Sequence, residues 1–167
     1  MNLISTVIGI GLLALTIGAG ISYINPNASA AAEAASVIAS GFQALTQAYQ
    51  SRQMTGAAAP DAASWESALF PAYGFEPKPP DGTGWSYASS DAGRWFCLSA
   101  PKATAALLMA LASVGKRYAA ASYLVSAKCG DAPATTATTA TTAATKTPAP
   151  AVGGRVAATL WITREGS

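Results

Sequence analysis

Histidine is absent from all 167 residues. Its absence removes the commonest general base and the commonest metal ligand together. Charge is also scarce: ten Lys and Arg stand against eight Asp and Glu, a net of +2, and only 11% of the chain is charged. A nucleic-acid surface wants a clustered basic face, so no direct nucleic-acid contact is expected. The carboxylates Glu33, Asp61, Glu66, Glu76, Asp81, Asp91, Asp131 and Glu165 stand singly. No serine has an imidazole to activate it. We therefore expect no enzyme, no catalytic residue, no metal and no cofactor. Cysteine occurs only twice, as Cys97 and Cys129. Two thiolates cannot fill a zinc shell, so the even count favours a disulfide in an exported domain over a metal site. A redox role lacks both a C-x-x-C and a histidine to lower a thiol pKa.

Apolar residues are plentiful instead, 51% of the chain with mean hydropathy +0.29. Residues Leu3 to Ile24 carry no charged side chain, and no Lys or Arg occurs before Arg52. At about 1.5 Å per residue such a stretch spans roughly 33 Å as a helix, enough for a bilayer core. Three readings of it stay open. Ala28-Ser29-Ala30 fits a small-x-small cleavage site of a signal peptide, although no basic residue precedes the apolar run. A plain signal anchor is the second. The third is a helix that also packs against its own kind, for which Gly9, Gly11, Gly18 and Gly20 among Leu, Ile and Val allow close backbone approach.

Asn25-Pro26-Asn27 predicts a kink or a brief break. Beyond it Ile38, Phe42, Leu45 and Tyr49 recur at spacings of four, three and four, the stripe of an amphipathic helix over residues 28–54. Ser36, Ser40, Gln43, Gln47 and Gln50 lie opposite. Gly56 to Pro60 ends the helix. Residues 55–167 then read as one small head. Asp61 or Ser64 is expected to cap a short helix from Trp65 to Phe70. A breaker-rich loop from Glu76 to Gly84 follows. Trp85 to Tyr87 and Arg94 to Leu98 suggest a hairpin turning around Ser89 to Gly93. Thr104 to Lys116 is expected to be helical, with Leu107, Leu108, Leu111 and Val114 on one side and Gly115 near its end. Tyr118 to Lys128 is expected as a strand ending at Cys129. The last strand, Arg155 to Thr163, alternates Val156, Ala158, Leu160 and Ile162 with polar positions, which predicts one buried face. Between these two strands Ala132 to Val152, with repeated Ala-Thr-Thr units, reads as a flexible exposed loop, either O-glycosylated or an unmodified spacer.

Met1-Asn2-Leu3-Ile4, the glycine-bearing apolar segment through Ala19-Gly20-Ile21, the long amphipathic continuation, a short antiparallel sheet and a C-terminal cysteine pair together resemble a type IV pilin, most closely the type IVb subclass. The sequence resemblance covers about the first 50 residues; the rest is a likeness of architecture. It implies an α+β fold in which a long N-terminal helix, residues 1–54, is membrane-spanning over 3–24 and amphipathic over 28–54, and packs on an antiparallel head. Leu3, Ile4, Ser5, Gly9, Gly11, Leu12, Leu15, Gly18, Gly20 and Ile24 would then form the assembly helix, Ile38, Phe42, Leu45 and Tyr49 its contact with the head, and Cys97 with Cys129 would bound the variable surface. Met1 would be a candidate for N-terminal methylation if it follows a removed leader. Implied partners are other pilin subunits, the pilus assembly machinery and, before assembly, the inner membrane; implied locations are that membrane with a periplasmic head, or an extracellular filament. Pilins carry glutamate where this chain has Ser5. Serine cannot neutralise a neighbouring ammonium in an apolar core, and an unpaired buried charge is costly. That favours a minor or tip subunit, or else a non-polymerising, PilM-like inner-membrane assembly protein or another membrane-anchored binding protein.

Overall fold

The computed structural model describes residues 26–90, 93–131 and 150–164. Its first element is a 29-residue helix, α1, Pro26–Met54. Ile38, Phe42 and Leu45 on its apolar stripe are 0% exposed and Tyr49 is 3% exposed. Ala31, Ala35, Ala39 and Ala48 extend the same buried face. Ser36, Ser40, Gln43, Gln47 and Gln50 are exposed on the other. The helix stops where Thr55 and Gly56 donate to the carbonyls of Arg52 and Gln53, with Gly56 at φ +75°.

No helix among the described residues is long and apolar enough to cross a membrane. This corrects the expected fold class and the inner-membrane location. The physical reason is the one-sidedness of α1: Glu33, Arg52 and the row of Ser and Gln give every stretch of it a polar face that hydrocarbon would not solvate. The stretch 3–24, on which the membrane reading rested, lies outside the described residues. So do Met1, Leu3, Ile4, Ser5, Gly9, Gly11, Leu12, Leu15, Gly18, Gly20 and Ile24, the expected kink ahead of Pro26, and residues 132–149 of the Ala/Thr-rich loop.

A short helix, α2 (Trp65–Leu69), follows. Ser64 stands at its N-cap but makes no side-chain capping bond, contrary to expectation; its carbonyl instead accepts from Ser67 Oγ at 3.1 Å. Four strands then make one antiparallel sheet: β1 (Gly84–Ser90), β2 (Gly93–Ala100), β3 (Tyr123–Ser126) and β4 (Val156–Arg164), in the spatial order β1-β2-β4-β3. Between β2 and β3 lies α3 (Ala105–Gly115), capped by Thr104, whose hydroxyl accepts from Leu107 N at 3.1 Å. β2 and β3 both run antiparallel to β4, which is inserted between them. Backbone bonds of 2.7 Å between Ala103 and Gly153 or Gly154 hold the entry to α3 against the entry to β4.

Helices α1 and α3 cover one face of this sheet. Trp85, Tyr87, Phe96, Leu98, Tyr123, Val156, Ala158 and Leu160 point at them, joining Leu107, Ala110, Leu111 and Val114 in a single core. Phe42 is at its centre, edge-on to Trp85 with centroids 4.9 Å apart and to Tyr123 at 6.0 Å. Trp85 lies directly on the α1 backbone at Gly41. A Cβ there would fall 2.4 Å from the indole ring, so no other residue fits without moving the tryptophan.

Two strand expectations need correction. The segment from Tyr118 is a strand only over Tyr123–Ser126, because Tyr118 instead stacks on Tyr123 at 5.6 Å. β4 is buried on both faces rather than one: Thr159 is 0% and Trp161 7% exposed. It is a central strand, and its second face is covered by chain described below.

Burial pushes the Tyr123 phenol well above its usual pKa, helped by the neighbouring Tyr118 ring; Tyr118 and Tyr87 shift upward for the same first cause. A raised folded-state pKa holds its stabilising contribution below the unfolded value near 10 and loses it as pH rises further. Stability is therefore expected to fall above about pH 10, and Tyr123→Phe should flatten part of that fall in chemical denaturation run from pH 8 to 11. At neutral pH the same variant loses the 3.1 Å bond from the Tyr123 hydroxyl to the Leu111 carbonyl, about 0.5–1.5 kcal/mol. Gly41→Ala would by propensity stabilise a helix by about 1 kcal/mol. Here we expect a loss of about 1–3 kcal/mol from overpacking against Trp85, read as a lower denaturation midpoint.

Candidate functional site

Two surfaces qualify as candidate sites, one on each side of the sheet. On the face away from the helices, Cys97 of β2 sits between Ser86 of β1 and Thr159 of β4 in the strand register. It is bonded to Cys129, with Cα atoms 5.7 Å apart. To reach it, the chain leaving the edge strand β3 turns back across β4. The turn is held by Ser126 Oγ donating to the Lys128 carbonyl at 2.7 Å and Gly130 N donating to Thr159 Oγ1 at 3.0 Å. Thr159 Oγ1 in turn donates to Cys97 Sγ and Ser86 Oγ to Cys129 Sγ, both at 3.7 Å. Trp161 Nε1 donates to the Asp131 carbonyl at 3.4 Å. Gly130, at φ +81°, lies flat on the Trp95 indole, where a Cβ would come within 2.8 Å. The disulfide therefore clamps a short cover over Trp95, Thr159 and Trp161.

The residues enclosed by the two cysteines are not an outer appendage. Leu98, Ala103, Leu107, Leu111, Val114 and Tyr123 all fall between them and all are buried in the core. What the pair presents outward is the turn itself, with Lys128 exposed.

No family profile, curated protein or solved structure matches this chain.

The second surface is an open groove of about 760 Å³ along the N-terminal half of α1. Ala30, Ala34 and Val37 of the helix form one wall, the Lys78–Thr83 loop a second, and the turn from Ala100 to Leu107 the third. Its lining is mostly apolar, with Glu33, Lys78, Asp81 and Lys102 among it. Prolines 79, 80 and 101 stiffen two of the three walls. Among the described residues no cluster of three or more His, Cys, Asp or Glu is placed to hold a metal. The groove is a docking shape without a constellation of groups for chemistry.

Ile38, Phe42, Leu45 and Tyr49 are brought together against the sheet, and Cys97 with Cys129 on its far side. Reading the sequence missed Gly41 and Gly130, two close-approach glycines whose only signal is the tryptophan that packs on each. It also missed Arg52. Its guanidinium donates to the carbonyls of Ala58 and Ala68 at 3.0 Å each and lies 6.0 Å from the Tyr73 ring centroid, pinning the end of α1 to the chain around α2.

Replacing both cysteines by alanine reopens a loop with a sequence separation of 32, for which the chain-entropy account gives a loss of roughly 3–4 kcal/mol. We expect the Cys97→Ala/Cys129→Ala protein to unfold at markedly lower denaturant, with Trp95 and Trp161 fluorescence shifted to the red as their cover loosens.

Proposed function

We propose that the chain is a structural subunit of a type IVb-like pilus or pseudopilus, with the head exposed on the filament for adhesion, motility, conjugation or DNA transfer. The observation that carries this reading is the double use of α1. One face is spent on the sheet through Ile38, Phe42, Leu45 and Tyr49, while the other presents Ala32, Ser36, Ser40, Gln43 and Gln47 at exposed positions. Short side chains and amides on a rigid rod let neighbouring rods approach closely while satisfying their own polar groups. The disulfide-clamped C-terminal part supports the same reading, since it suits an oxidising compartment and gives a small head resistance to unfolding. The reading makes no use of a membrane span. Partners are then other pilin subunits and the assembly machinery.

Ser5 favours a minor or tip subunit present in few copies. It also favours a second reading, a component of the assembly machinery that does not polymerise, for which the groove beside α1 offers a docking surface.

Shearing filaments from cells and blotting for the chain separates these readings. A filament subunit leaves with the sheared fraction, and Ser40→Arg, on the exposed face of α1, should deplete it there by tenfold or more while leaving the denaturation midpoint unchanged. A chain that stays wholly with the cells would overturn the filament reading in favour of the second.

A further inference from the structure

The disulfide clamp does not cover the whole of the sheet face that it crosses. Val156, Ala158 and Leu160 of β4 belong to the helix-side core, so alternation turns Ala157, Thr159 and Trp161 the other way. Across the ladder Cys97 pairs with Thr159 and Ser99 with Ala157. The clamp closes over Thr159 and Trp161, toward the end of β4. Toward its start a hollow of about 390 Å³ is left, with Ser99, Pro101, Lys128, Cys129, Arg155 and Ala157 among its lining. Lys128 and Arg155 are both exposed. No described carboxylate lines the hollow. Asp131, two residues beyond Cys129, is drawn to the opposite end of the face, where its carbonyl accepts from Trp161. Asp81, on the other side of the Ala100–Pro101 turn, lines the α1 groove instead.

Neither cation is free to leave. The Lys128 carbonyl accepts from Ser126 Oγ at 2.7 Å, and the residue after it is locked in the disulfide. Arg155 follows Gly153 and Gly154, whose backbones are bonded to Ala103 at 2.7 Å. Three segments far apart in sequence therefore hold two like charges on one hollow with no counter-charge in its wall. Like charges on neighbouring strands destabilise one another, and a bound anion removes that penalty.

We infer that this hollow binds a phosphate monoester. Charge selects it: a phosphate monoester carries about −1.5 to −2 at neutral pH, which two cations match, whereas a carboxylate or a phosphodiester carries only one negative charge. The donors suit it as well. The Arg155 guanidinium offers a planar fork to two phosphate oxygens, Lys128 a mobile point charge, and the half-buried Ser99 a hydroxyl from the neighbouring strand. Size adds the organic part. The hollow is many times the roughly 30 Å³ of one water and falls at the small end of ligand sites, about 300–1,000 Å³. Pro101 and Ala157 give the carbon skeleton an apolar bed beside the charged pair. The phosphate could belong to a soluble ester or to a lipid headgroup; the chemistry of recognition is the same. The inference rests on neither reading of the chain's part in a pilus.

The test titrates glycerol 3-phosphate into the nitrogen-15-labelled full-length chain and follows amide shifts by NMR. Saturable shifts centred on residues 99, 128–129 and 155–157 are expected, with a dissociation constant of about 1 mM or tighter. Lys128→Gln and Arg155→Gln should each weaken binding about tenfold or more without moving the denaturation midpoint, since both side chains are exposed. Lys116→Gln, at an exposed cation after α3 that lines no part of the hollow, should change nothing. Dimethyl phosphate, a diester, should bind at least severalfold more weakly. Shifts that never saturate, that centre elsewhere, that respond equally to Lys116→Gln, or that dimethyl phosphate reproduces at the same affinity overturn the proposal. A second arm sediments the protein with phosphatidylcholine vesicles made with and without phosphatidate. Phosphatidate-dependent sedimentation that both variants lose assigns the phosphate to a lipid headgroup. Binding of glycerol 3-phosphate without such sedimentation assigns it to a soluble ester, and binding of neither probe overturns the site.

Discussion

The close approach of α1 to the sheet at Gly41 is the constraint on which the other contacts depend. With no side chain at that position, the Trp85 indole lies against the helix backbone and sets the separation of the two layers. Phe42 then drops into the space between Trp85, Tyr118 and Tyr123, meeting each edge-on. Seven residues further along, Tyr49 packs tilted against Tyr87 and edge-on to Phe96. Much of the remaining core is alanine, including Ala35, Ala39, Ala48, Ala110 and Ala158. At roughly 0.8 kcal/mol per buried methylene, those residues contribute little each beyond permitting close packing. The few aromatics, only 8% of the chain, are concentrated where the apolar area is most needed.

The core on the helix side is matched by support from the far side of the sheet, and the disulfide supplies it. By drawing the chain after β3 back over β4 to β2, it ties an edge strand to the central pair. The same turn covers Trp95, Thr159 and Trp161, so both faces of β4 leave water. Thr159 is a telling member of this group. It is a fully buried hydroxyl, tolerable because it accepts from Gly130 and donates to Cys97 Sγ. One layer of helices and one short clamp thus enclose a sheet that neither would cover alone.

What is left outside this enclosure defines the molecule's outward chemistry. The polar face of α1, the proline-stiffened strap that carries Phe75, and the groove between them lie on the helix side of the sheet. Among the described residues no group of three or more His, Cys, Asp or Glu is placed there to hold a metal. The groove's lining is mostly apolar, with two acidic and two basic side chains among it.

Much of the local structure was legible from residue order. The four-three-four spacing of Ile38, Phe42, Leu45 and Tyr49 identifies the buried side of α1 because a helix turns 100° per residue whatever surrounds it. Alternation in Val156, Ala158, Leu160 and Ile162 identifies the helix-facing side of β4 for the parallel reason, and the even cysteine count was enough to suggest the bond. Other features depended on partners distant in the chain. A glycine is silent about which indole will lie on it, and a threonine at 159 reads as a solvent position until another segment covers it. The length of β3 was set by Tyr118 stacking on Tyr123, not by its own alternation. The sequence by itself determined the periodic elements and which of their faces are apolar, since those follow from backbone geometry alone. The order of the strands and the burial of β4 on both sides were decided only by tertiary structure, because each depends on which distant surfaces meet.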